Sequence, residues 1–328
     1  MTHALSLAIP SKGRLQEQVQ RYFEDAGLTL AQAQGARGYR ATLSGFPEID
    51  VRLMSASEIA GALISGDVHL GITGEDLIRE AAPSLERCIA LLKPLGFGFA
   101  DVVVAVPQAW IDVTTMADLD DVCAAFFQRH RRRLRIATKY VSLTRGYFAN
   151  AGIWDYRIVE SLGATEGTPA AGAAEAIVDI TTTGATLAAN GLKTLKDGTI
   201  LKSQAQLAAA LSIAWNGAAR ESARMLLSRL KARERARQSL VLRARLGEQA
   251  QSILAAMTER LGVSVLSQPD NGSAHGESSI LCPRAELMPA IALLRAEGCL
   301  GAVTAEDADY VFEPGDPLLS SLDAVLPV

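Results

Sequence analysis

The chain has 328 residues, a length that suggests two or three domains rather than a single hydrophobic core. Hydrophobic residues make up 49% of it and charged residues 21%, which excludes a disordered or fibrous protein and indicates a soluble globular one. The formal net charge of -4 argues against nucleic acid as the main partner, because binding to a phosphate backbone usually needs a basic surplus.

Neither a secretory leader nor a membrane span is expected. The opening segment contains Lys12 and Arg14 where an apolar run would have to continue. The most apolar stretch, residues 91–107, is interrupted by Lys93 and Asp101. The four cysteines stand too far apart for a metal site or a disulfide framework. We therefore expect reduced thiols, a cytoplasmic location and no membrane partner.

Strand and helix patterns alternate over the first 105 residues. Apolar side chains recur at every second position in the strands and at every third or fourth position in the helices. The predicted order is a strand at 5–9, a helix at 15–23, a strand at 49–53, a helix around Ile59 and Leu63, and a strand at 68–72. This order predicts an α/β fold with a parallel or mixed sheet and helices on both faces.

The same alternation restarts after Pro107. The predicted elements are a helix at 116–127, a strand at 134–138, a helix at 143–150, a strand at 156–160, an Ala-rich helix, a strand at 176–180, short strands at 194–196 and 199–201, and a helical region to about Arg237.

The rest of the chain predicts a separate unit. Its elements are a strand at 240–246, a helix at 249–261, strands at 263–266 and 279–282, a helix at 286–297 and a strand from Ala302. This βαββαβ order is the ferredoxin-like pattern. Such a unit more often regulates or oligomerises than catalyses.

The segment with the strongest indication of chemistry follows the predicted strand that ends at Ile180. Asp179 is followed by hydroxyl residues, a glycine and the start of a helix, in the order Thr181, Thr182, Thr183, Gly184, Ala185 and Thr186. A phosphate needs converging backbone amides at a helix N-terminus, a glycine that permits close approach, and hydroxyl donors. Asp179 could hold ribose hydroxyls or a magnesium ion. The alternative is a Thr-rich turn with an ordinary N-cap.

A basic segment follows the first strand and consists of Ser11, Lys12, Gly13 and Arg14. Two cations beside a glycine at a strand-to-helix junction suit a polyphosphate, arginine through its planar fork and lysine as a point charge. The alternative is an exposed basic turn.

Two further candidates are a turn at residues 71–76, which contains Thr73 and Gly74, and a junction formed by Lys139, Tyr140, Thr144 and Arg145. Either could be solvated surface. All four candidate segments lie just beyond the carboxyl ends of predicted strands, which is where open α/β sheets bind ligands.

Two charged segments are interpreted as surface. Residues 129–135 contain five arginines and a histidine, but they lie between a helix and a strand of an acidic protein, so we expect a solvated loop. Residues 218–237 predict a basic amphipathic linker helix with Leu226, Leu227 and Leu230 on its apolar side.

At these residues the sequence resembles the ATP phosphoribosyltransferase family of histidine biosynthesis. The matching segments occur in the family's order between residue 1 and about residue 215, at 8–15, 70–77, 135–140, 163–166, 176–187 and 189–192. The resemblance implies a two-lobed α/β core like that of a periplasmic binding protein, with the chain crossing between the lobes more than once. It also implies an enzyme that transfers the phosphoribosyl group of phosphoribosyl pyrophosphate to the adenine N1 of ATP and releases pyrophosphate.

The resemblance suggests a domain plan. Lobe I would comprise residues 1–105, completed by 190–237; lobe II would comprise 106–189; and residues 238–328 would form the ferredoxin-like domain. By length and pattern the chain is similar to the long form of the family, whose C-terminal domain binds histidine and helps to form a homohexamer. A short form works with a separate regulatory subunit. We therefore expect a homo-oligomer of dimers or a hexamer, with histidine as a candidate inhibitor.

The resemblance also implies roles for single residues. Phosphoribosyl pyrophosphate would bind at Glu166, Asp179, Thr181, Thr182, Thr183, Gly184, Ala185 and Thr186. ATP would bind at Ser11, Lys12, Gly13, Arg14, Thr73, Gly74, Lys139, Tyr140 and Arg145. Catalysis would fall to Lys12, Arg14 and Asp179, and Mg²⁺ would be held by Asp179 and Glu166. One departure is His69, where family members often have an aspartate; Asp67 lies two residues earlier.

Two other functions are compatible with the same pattern. A two-lobed sensor of a phosphorylated metabolite would need the cleft, but not the Asp179 loop together with Lys12 and Arg14. A phosphoribosyltransferase that acts on a free base usually has two adjacent carboxylates before the turn, whereas Asp179 is followed here by Ile180.

Overall fold

The computed structural model describes residues 5–32, 39–82, 84, 87–161, 163–247, 249–268, 277–297, 299–315 and 317–326. The chain divides into two compact units. One comprises Met1–Glu24, Leu28–Ser222 and Ser321–Val328, and the other comprises Asp25–Gly27 and Ala223–Ser320. None of the helices described has the length and apolar content needed to cross a membrane.

The first unit begins with a lobe built on one mixed sheet. Its elements are β1 (Leu5–Pro10), α1 (Gly13–Asp25), β2 (Leu30–Gln32), β3 (Arg40–Leu43), β4 (Ile49–Met54), α2 (Ala56–Ser65), β5 (Leu70–Gly74), α3 (Glu75–Ala81) and β6 (Ile89–Pro94). A later strand, β12 (Ala205–Ala210), completes the order β2-β3-β4-β1-β5-β12-β6. All six residues of β1 are buried, because β4 and β5 pair with it in parallel on either side.

The second lobe has its own sheet. Its elements are β7 (Asp101–Pro107), α4 (Met116–His130), β8 (Leu134–Thr138), α5 (Val141–Asn150), β9 (Tyr156–Glu160), β10 (Ala176–Thr181), α6 (Ala185–Ala189) and β11 (Leu192–Leu201). The strand order is β11-β7-β10-β8-β9. This sheet begins at Asp101 and ends at Leu201, so it extends beyond the predicted limits of 106–189 at both ends.

The chain returns to the first sheet through β12, which corrects the helical region predicted after Leu201. Its sequence is rich in alanine and favours a helix by propensity alone. All six residues are nevertheless buried, and the strand pairs antiparallel with both β5 and β6. Burial in the centre of a sheet therefore outweighs local propensity here. The helix that follows, α7 (Gly217–Gln238), buries Leu226, Leu227 and Leu230 as predicted.

Three local predictions were wrong. A single 3-10 turn at Thr165–Gly167 and further turns replace the Ala-rich helix before β10, because Pro169 and the left-handed Gly172 do not continue a helix. The two short strands after Lys193 are one strand, β11, whose register with β7 shifts midway. Residues 71–74 lie in the buried strand β5 rather than in a turn.

The second unit contains a four-stranded antiparallel sheet with two helices. Its elements are β13 (Ser239–Arg245), α8 (Ala250–Leu261), β14 (Ser264–Ser267), β15 (Glu277–Pro283), α9 (Leu287–Ala296) and β16 (Thr304–Glu306), and α10 (Pro317–Val325) follows. The strand order β14-β15-β13-β16 is that of a ferredoxin-like fold, and Leu242, Met257, Ile280 and Leu294 belong to its core. The predicted fold class is confirmed.

Candidate active site

One edge of the first sheet brings three helix N-termini together. β1, β4 and β5 are parallel, so their carboxyl ends lie side by side, with Pro10 opposite Met54. The amide of Ser11 donates to the carbonyl of Met54 at 2.8 Å, and α1 begins at Gly13, whose φ is +78°. Because this left-handed conformation is costly for other residues, the chain turns from β1 into α1 at a glycine.

Lys12 and Arg14 are exposed on either side of Gly13. The pKa of Glu58 is lowered mainly by its hydrogen bonds with Ser55 at the start of α2, and to a smaller extent by the charge of Lys12. Lys12 therefore lies near the N-terminus of α2 as well as that of α1. The helix dipoles add to the attraction that these two cations exert on an anion.

β5 leads directly into α3 at Gly74. A Cβ on Gly74 would lie 2.3 Å from Asp76 Oδ1, so glycine is required by the close approach of this side chain. Thr73 is fully buried, and its hydroxyl donates to the carbonyl of Ala56 at 2.7 Å. Thr73 and Gly74 thus fix the junction between strand and helix, and the hydroxyl of Thr73 already donates a hydrogen bond within the protein.

In the second lobe, Asp179 stands near the end of β10, beside the parallel strand β8. Burial raises the pKa of Asp179, the amide of Ile180 and the charge of Lys139 lower it, and the charge of Glu166 raises it. Asp179 is therefore flanked by a cation and by a second carboxylate. Its Oδ1 accepts from the Ile180 amide at 2.8 Å, whereas Oδ2 accepts no hydrogen bond from the described residues.

The loop after Asp179 exposes backbone N–H groups. The hydroxyl of Thr181 accepts from the amide of Gly184 at 2.8 Å, which closes the turn. Gly184 has a φ of +76°, and a Cβ there would meet no atom within 4 Å. Within the part of the chain that the structure describes, the amides of Thr182, Thr183 and Thr186 donate no hydrogen bond. Open space above a glycine and three available donors suit a phosphate.

Two antiparallel connections join the lobes. Residues 95–100 lead from β6 to β7, and residues 202–204 lead from β11 to β12. The amide of Leu95 donates to the carbonyl of Ala205 at 3.0 Å, and the amide of Ala205 donates to the carbonyl of Phe97 at 2.9 Å. The amide of Ala100 donates to the carbonyl of Ser203 at 3.0 Å. The two connections therefore support each other as a short ladder.

Asp76 and Tyr140 link the lobes through buried side chains. The hydroxyl of Tyr140 donates to Asp76 Oδ2 at 2.6 Å, and the hydroxyl of Ser203 donates to Asp76 Oδ1 at 2.9 Å. Tyr140 is only 1% exposed. Burial and the nearby charge of Asp76 raise the pKa of its phenol, so Tyr140 remains a neutral donor. One carboxylate thus ties lobe I to lobe II and to a connection between them.

Glu80 makes a second link from the same face of α3. Its two carboxylate oxygens accept from the amides of Ser142 and Leu143 at 2.8 and 3.0 Å. These amides belong to the first turn of α5, whose own N-cap residue provides no side-chain hydrogen bond. A carboxylate of lobe I therefore caps the helix that follows Lys139 and Tyr140 in lobe II.

Comparison with known proteins decides the family. The family model described as HisG: ATP phosphoribosyltransferase matches residues 55–232. The ATP phosphoribosyltransferase of Afipia carboxidovorans is 52% identical over 326 residues, which cover 99% of both chains. That of Rhodopseudomonas palustris is 51% identical over the same share.

The chain belongs to the ATP phosphoribosyltransferase family.

A solved ATP phosphoribosyltransferase agrees at the level of the fold. The structure is the ATP phosphoribosyl transferase (HisG:HisZ) complex from Thermotoga maritima, and a chain of it aligns with a TM-score of 0.53 at 24% identity. The alignment covers 70% of the present chain and 98% of the other one. The predicted enzyme class is confirmed by the family, and a sensor without catalysis is not favoured.

The structure brings together several of the residues predicted for an ATP phosphoribosyltransferase site. Lys139 and Glu166 each lie within electrostatic range of Asp179, next to the loop. Lys12 and Arg14 share the edge of lobe I. Arg145 is exposed one turn into α5, and its charge acts on Tyr156 at the start of β9. The hydroxyl of Tyr140 is committed to Asp76, which leaves it a positioning role in this conformation.

Asp179 and Glu166 are the carboxylates at the site that could contact a metal ion. Asp179 and Glu166 are close enough for the charge of one to raise the pKa of the other, and a divalent cation would relieve this repulsion. No group of three or more potential ligands that could hold a metal occurs among the described residues. Magnesium is usually held by one or two carboxylates together with substrate phosphates and water. The pair therefore fits a metal that enters with a polyphosphate.

Three residues of this region escaped the sequence analysis: Phe99, Ser203 and Glu80. None belongs to a recognisable sequence pattern, because each reaches the site only through contacts between segments that are distant in the sequence.

His69 has a structural role: its Nδ1 lies 2.8 Å from Ser6 Oγ, its ring packs edge-on against Trp215, and burial lowers its pKa.

Proposed function

We propose that the chain transfers the phosphoribosyl group of phosphoribosyl pyrophosphate to the adenine N1 of ATP, the first step of histidine biosynthesis. The bond between N1 and the anomeric carbon forms as the bond from that carbon to pyrophosphate breaks. The observation that carries this proposal is the pairing of Asp179 with a loop of available amides, in a family of ATP phosphoribosyltransferases.

The sugar donor is proposed to bind on lobe II. Thr181, Thr182, Thr183, Gly184, Ala185 and Thr186 form the phosphate loop. Its available amides would bind the 5-phosphate, since several N–H groups converging near a glycine neutralise an anion without a side-chain charge. Asp179 Oδ2 would accept hydrogen bonds from ribose hydroxyls while positive charge builds at the anomeric carbon.

ATP is proposed to bind against lobe I. Ser11, Lys12, Gly13 and Arg14 offer two cations and helix N-termini to its phosphates. Lys139 would reach the same cleft from lobe II, where its ammonium lies 5.0 Å from the centre of the Tyr140 ring. Thr73, Gly74 and Tyr140 would support this site by fixing the ends of β5 and β8. Arg145 would contact ATP from α5.

The chemical demand of this reaction is alignment and charge neutralisation. The adenine nitrogen is already a fair nucleophile, so no dedicated base is required. Two polyanions must be brought together, and orientation alone can lower a barrier by about 7 kcal/mol in favourable cases. Lys12 and Arg14 would stabilise the departing pyrophosphate. The hydrogen bonds of Asp76 and Glu80 across the lobes would hold the two lobes in fixed relative positions during the transfer.

The reaction of this family needs a metal ion, and we propose Mg²⁺ as that ion. Asp179 and Glu166 would hold it together with the oxygens of phosphoribosyl pyrophosphate. When bound, it would supply positive charge to the leaving pyrophosphate. The two carboxylates would position the metal ion, and the charge of Lys139 acts on Asp179 at the same place.

We propose that residues 238–328 form a regulatory and oligomerisation domain. The catalytic part would then be lobe I, reduced from 1–105 and 190–237 to 1–100 and 202–237, together with lobe II, extended from 106–189 to 101–201 so that it includes β7 and β11. The alignment with the Thermotoga maritima chain leaves 30% of this chain uncovered, a share similar to that of residues 238–328. Inhibition by histidine, a homo-oligomer of dimers or a hexamer, and a cytoplasmic location complete the proposal.

The direct test uses the full-length chain with ATP, MgCl₂ and phosphoribosyl pyrophosphate, with and without histidine. Mass spectrometry should detect phosphoribosyl-ATP and an equal amount of pyrophosphate. Binding of both substrates with no product would favour the sensor instead. Product from free adenine but not from ATP would favour a transferase that acts on free bases.

A further inference from the structure

Phe99 is an exposed aromatic residue on the first connection between the lobes. Its side chain is 55% exposed, whereas the neighbouring Phe97 packs against Tyr22 with ring centroids 6.0 Å apart. A single exposed aromatic residue needs no explanation by itself. Phe99 differs because its backbone is held at the meeting point of the two proposed substrate sites.

The backbone of Phe99 is tied to the phosphate loop. The hydroxyl of Thr182 donates to the carbonyl of Phe99 at 3.1 Å. The neighbouring amide, that of Ala100, donates to the carbonyl of Ser203, and Ser203 in turn binds Asp76. Phe99 therefore keeps a fixed distance from the loop that is proposed to hold the sugar donor.

The same segment touches the ATP side. Gly98 has a φ of +66°, and a Cβ on it would lie 3.0 Å from Leu15 Cδ1. Leu15 follows Arg14 in the first turn of α1. Because Gly98 has no side chain, the connection can approach this turn closely. Phe99 thus follows a residue that packs beside the proposed phosphate site for ATP, and it is also hydrogen-bonded to the loop for the ribose.

We propose that Phe99 stacks on the adenine ring of ATP and so contributes directly to ATP binding. The proposal rests on the proposed function. The adenine must lie between its own phosphates and the anomeric carbon, because N1 bonds to that carbon. It is the only aromatic, uncharged part of the two substrates, and exposed aromatic rings bind bases by stacking.

Tyr39 is a second exposed aromatic residue on which the adenine ring could stack. It is 69% exposed, and its carbonyl accepts from the amide of Leu53 near the end of β4. This position borders only lobe I, and no described contact joins Tyr39 to the Asp179 loop. A base stacked there would be held beside one substrate site rather than between the two.

The test compares Phe99→Leu, Phe99→Trp and Tyr39→Leu with a matched control, Phe127→Leu, which removes a ring that is 40% exposed on α4. Calorimetry measures ATP and phosphoribosyl pyrophosphate binding, and steady-state kinetics gives both KM values. Phe99→Leu should weaken ATP binding about tenfold, the effect expected for one stacked base, and leave the sugar donor unchanged. Phe99→Trp should restore ATP binding, and Phe127→Leu should change neither substrate.

A probe without a base separates stacking from a structural defect. Inorganic tripolyphosphate should inhibit the wild type and Phe99→Leu equally, because it lacks the adenine. Unchanged ATP affinity in Phe99→Leu, an equal loss for tripolyphosphate, or a loss in Tyr39→Leu instead would overturn the role of Phe99. A wild-type chain that formed no phosphoribosyl-ATP would refute the proposed function, which is a separate outcome.

Discussion

Removing the hydroxyl of Tyr140 tests whether Asp76 joins the two lobes. In Tyr140→Phe, Asp76 Oδ2 loses its hydrogen bond, although Asp76 is buried, with only 4% of the residue exposed. Oδ1 keeps its hydrogen bond from the hydroxyl of Ser203. A hydrogen bond to a charged group contributes about 1.5–3 kcal/mol net. A loss of about 2 kcal/mol in the free energy of unfolding corresponds to a fall in Tm of about 4–8 °C for a unit of the size of the first one.

Tyr147→Phe is the matched control for this change. Its hydroxyl donates to the neutral carbonyl of Asp197 within lobe II, so its removal should cost less, about 1 kcal/mol. Scanning fluorimetry gives both Tm values, and steady-state assays give both kcat values. We expect Tyr140→Phe to lose kcat as well as stability, and Tyr147→Phe to keep kcat near that of the wild type. Equal Tm and kcat in the two variants would refute a link between the lobes at Asp76.

Three other substitutions test separate parts of the candidate site and of the fold around it. Arg14→Ala should lower kcat about a hundredfold, as expected for one lost transition-state donor, and near-normal turnover would remove Arg14 from the site. Asp179→Asn should weaken phosphoribosyl pyrophosphate binding in calorimetry without lowering Tm at neutral pH, because the raised pKa of Asp179 means that burial of its charge costs stability; unchanged affinity would contradict this role. Burial acts to raise the pKa of Glu175, but hydrogen bonds from Arg135 outweigh it and hold the pKa at about 2, below the ordinary 4.5. The charge of Glu175 therefore stabilises the fold above pH 4.5. Glu175→Gln should lower Tm at pH 7, and the difference in Tm from the wild type should shrink as the pH falls towards 2. A constant difference in Tm across this range would refute this stabilising role of the Glu175 charge.

The sequence predicted where the candidate site residues lie in the fold better than it predicted the elements around them. The positions of Asp179 and Lys12 at strand ends could be predicted because apolar strands are short, are followed by turns, and end on one edge of a parallel sheet. The bounds of β8 and β9 were predicted to the residue for the same reason, since alternating apolar residues mark them clearly. Local pattern is therefore sufficient to place a residue at the end of a strand.

The remaining features depend on contacts between distant segments. β12 resembles a helix in composition and becomes a strand only because β5 and β6 leave a place between them. The sequence pattern also gave no sign of the hydrogen bond from Tyr140 to Asp76, which lies 64 positions away in the sequence. Phe99 carries no motif at all, and its place follows from a hydrogen bond with Thr182 across 83 positions.

The most direct measurement is a crystal structure of the full chain with phosphoribosyl pyrophosphate and MgCl₂. We predict that the 5-phosphate lies on the amides between Thr182 and Thr186, with ribose hydroxyls on Asp179 and the metal beside Glu166. Clear density for the sugar donor elsewhere, with this loop empty, would contradict the assignment of the site.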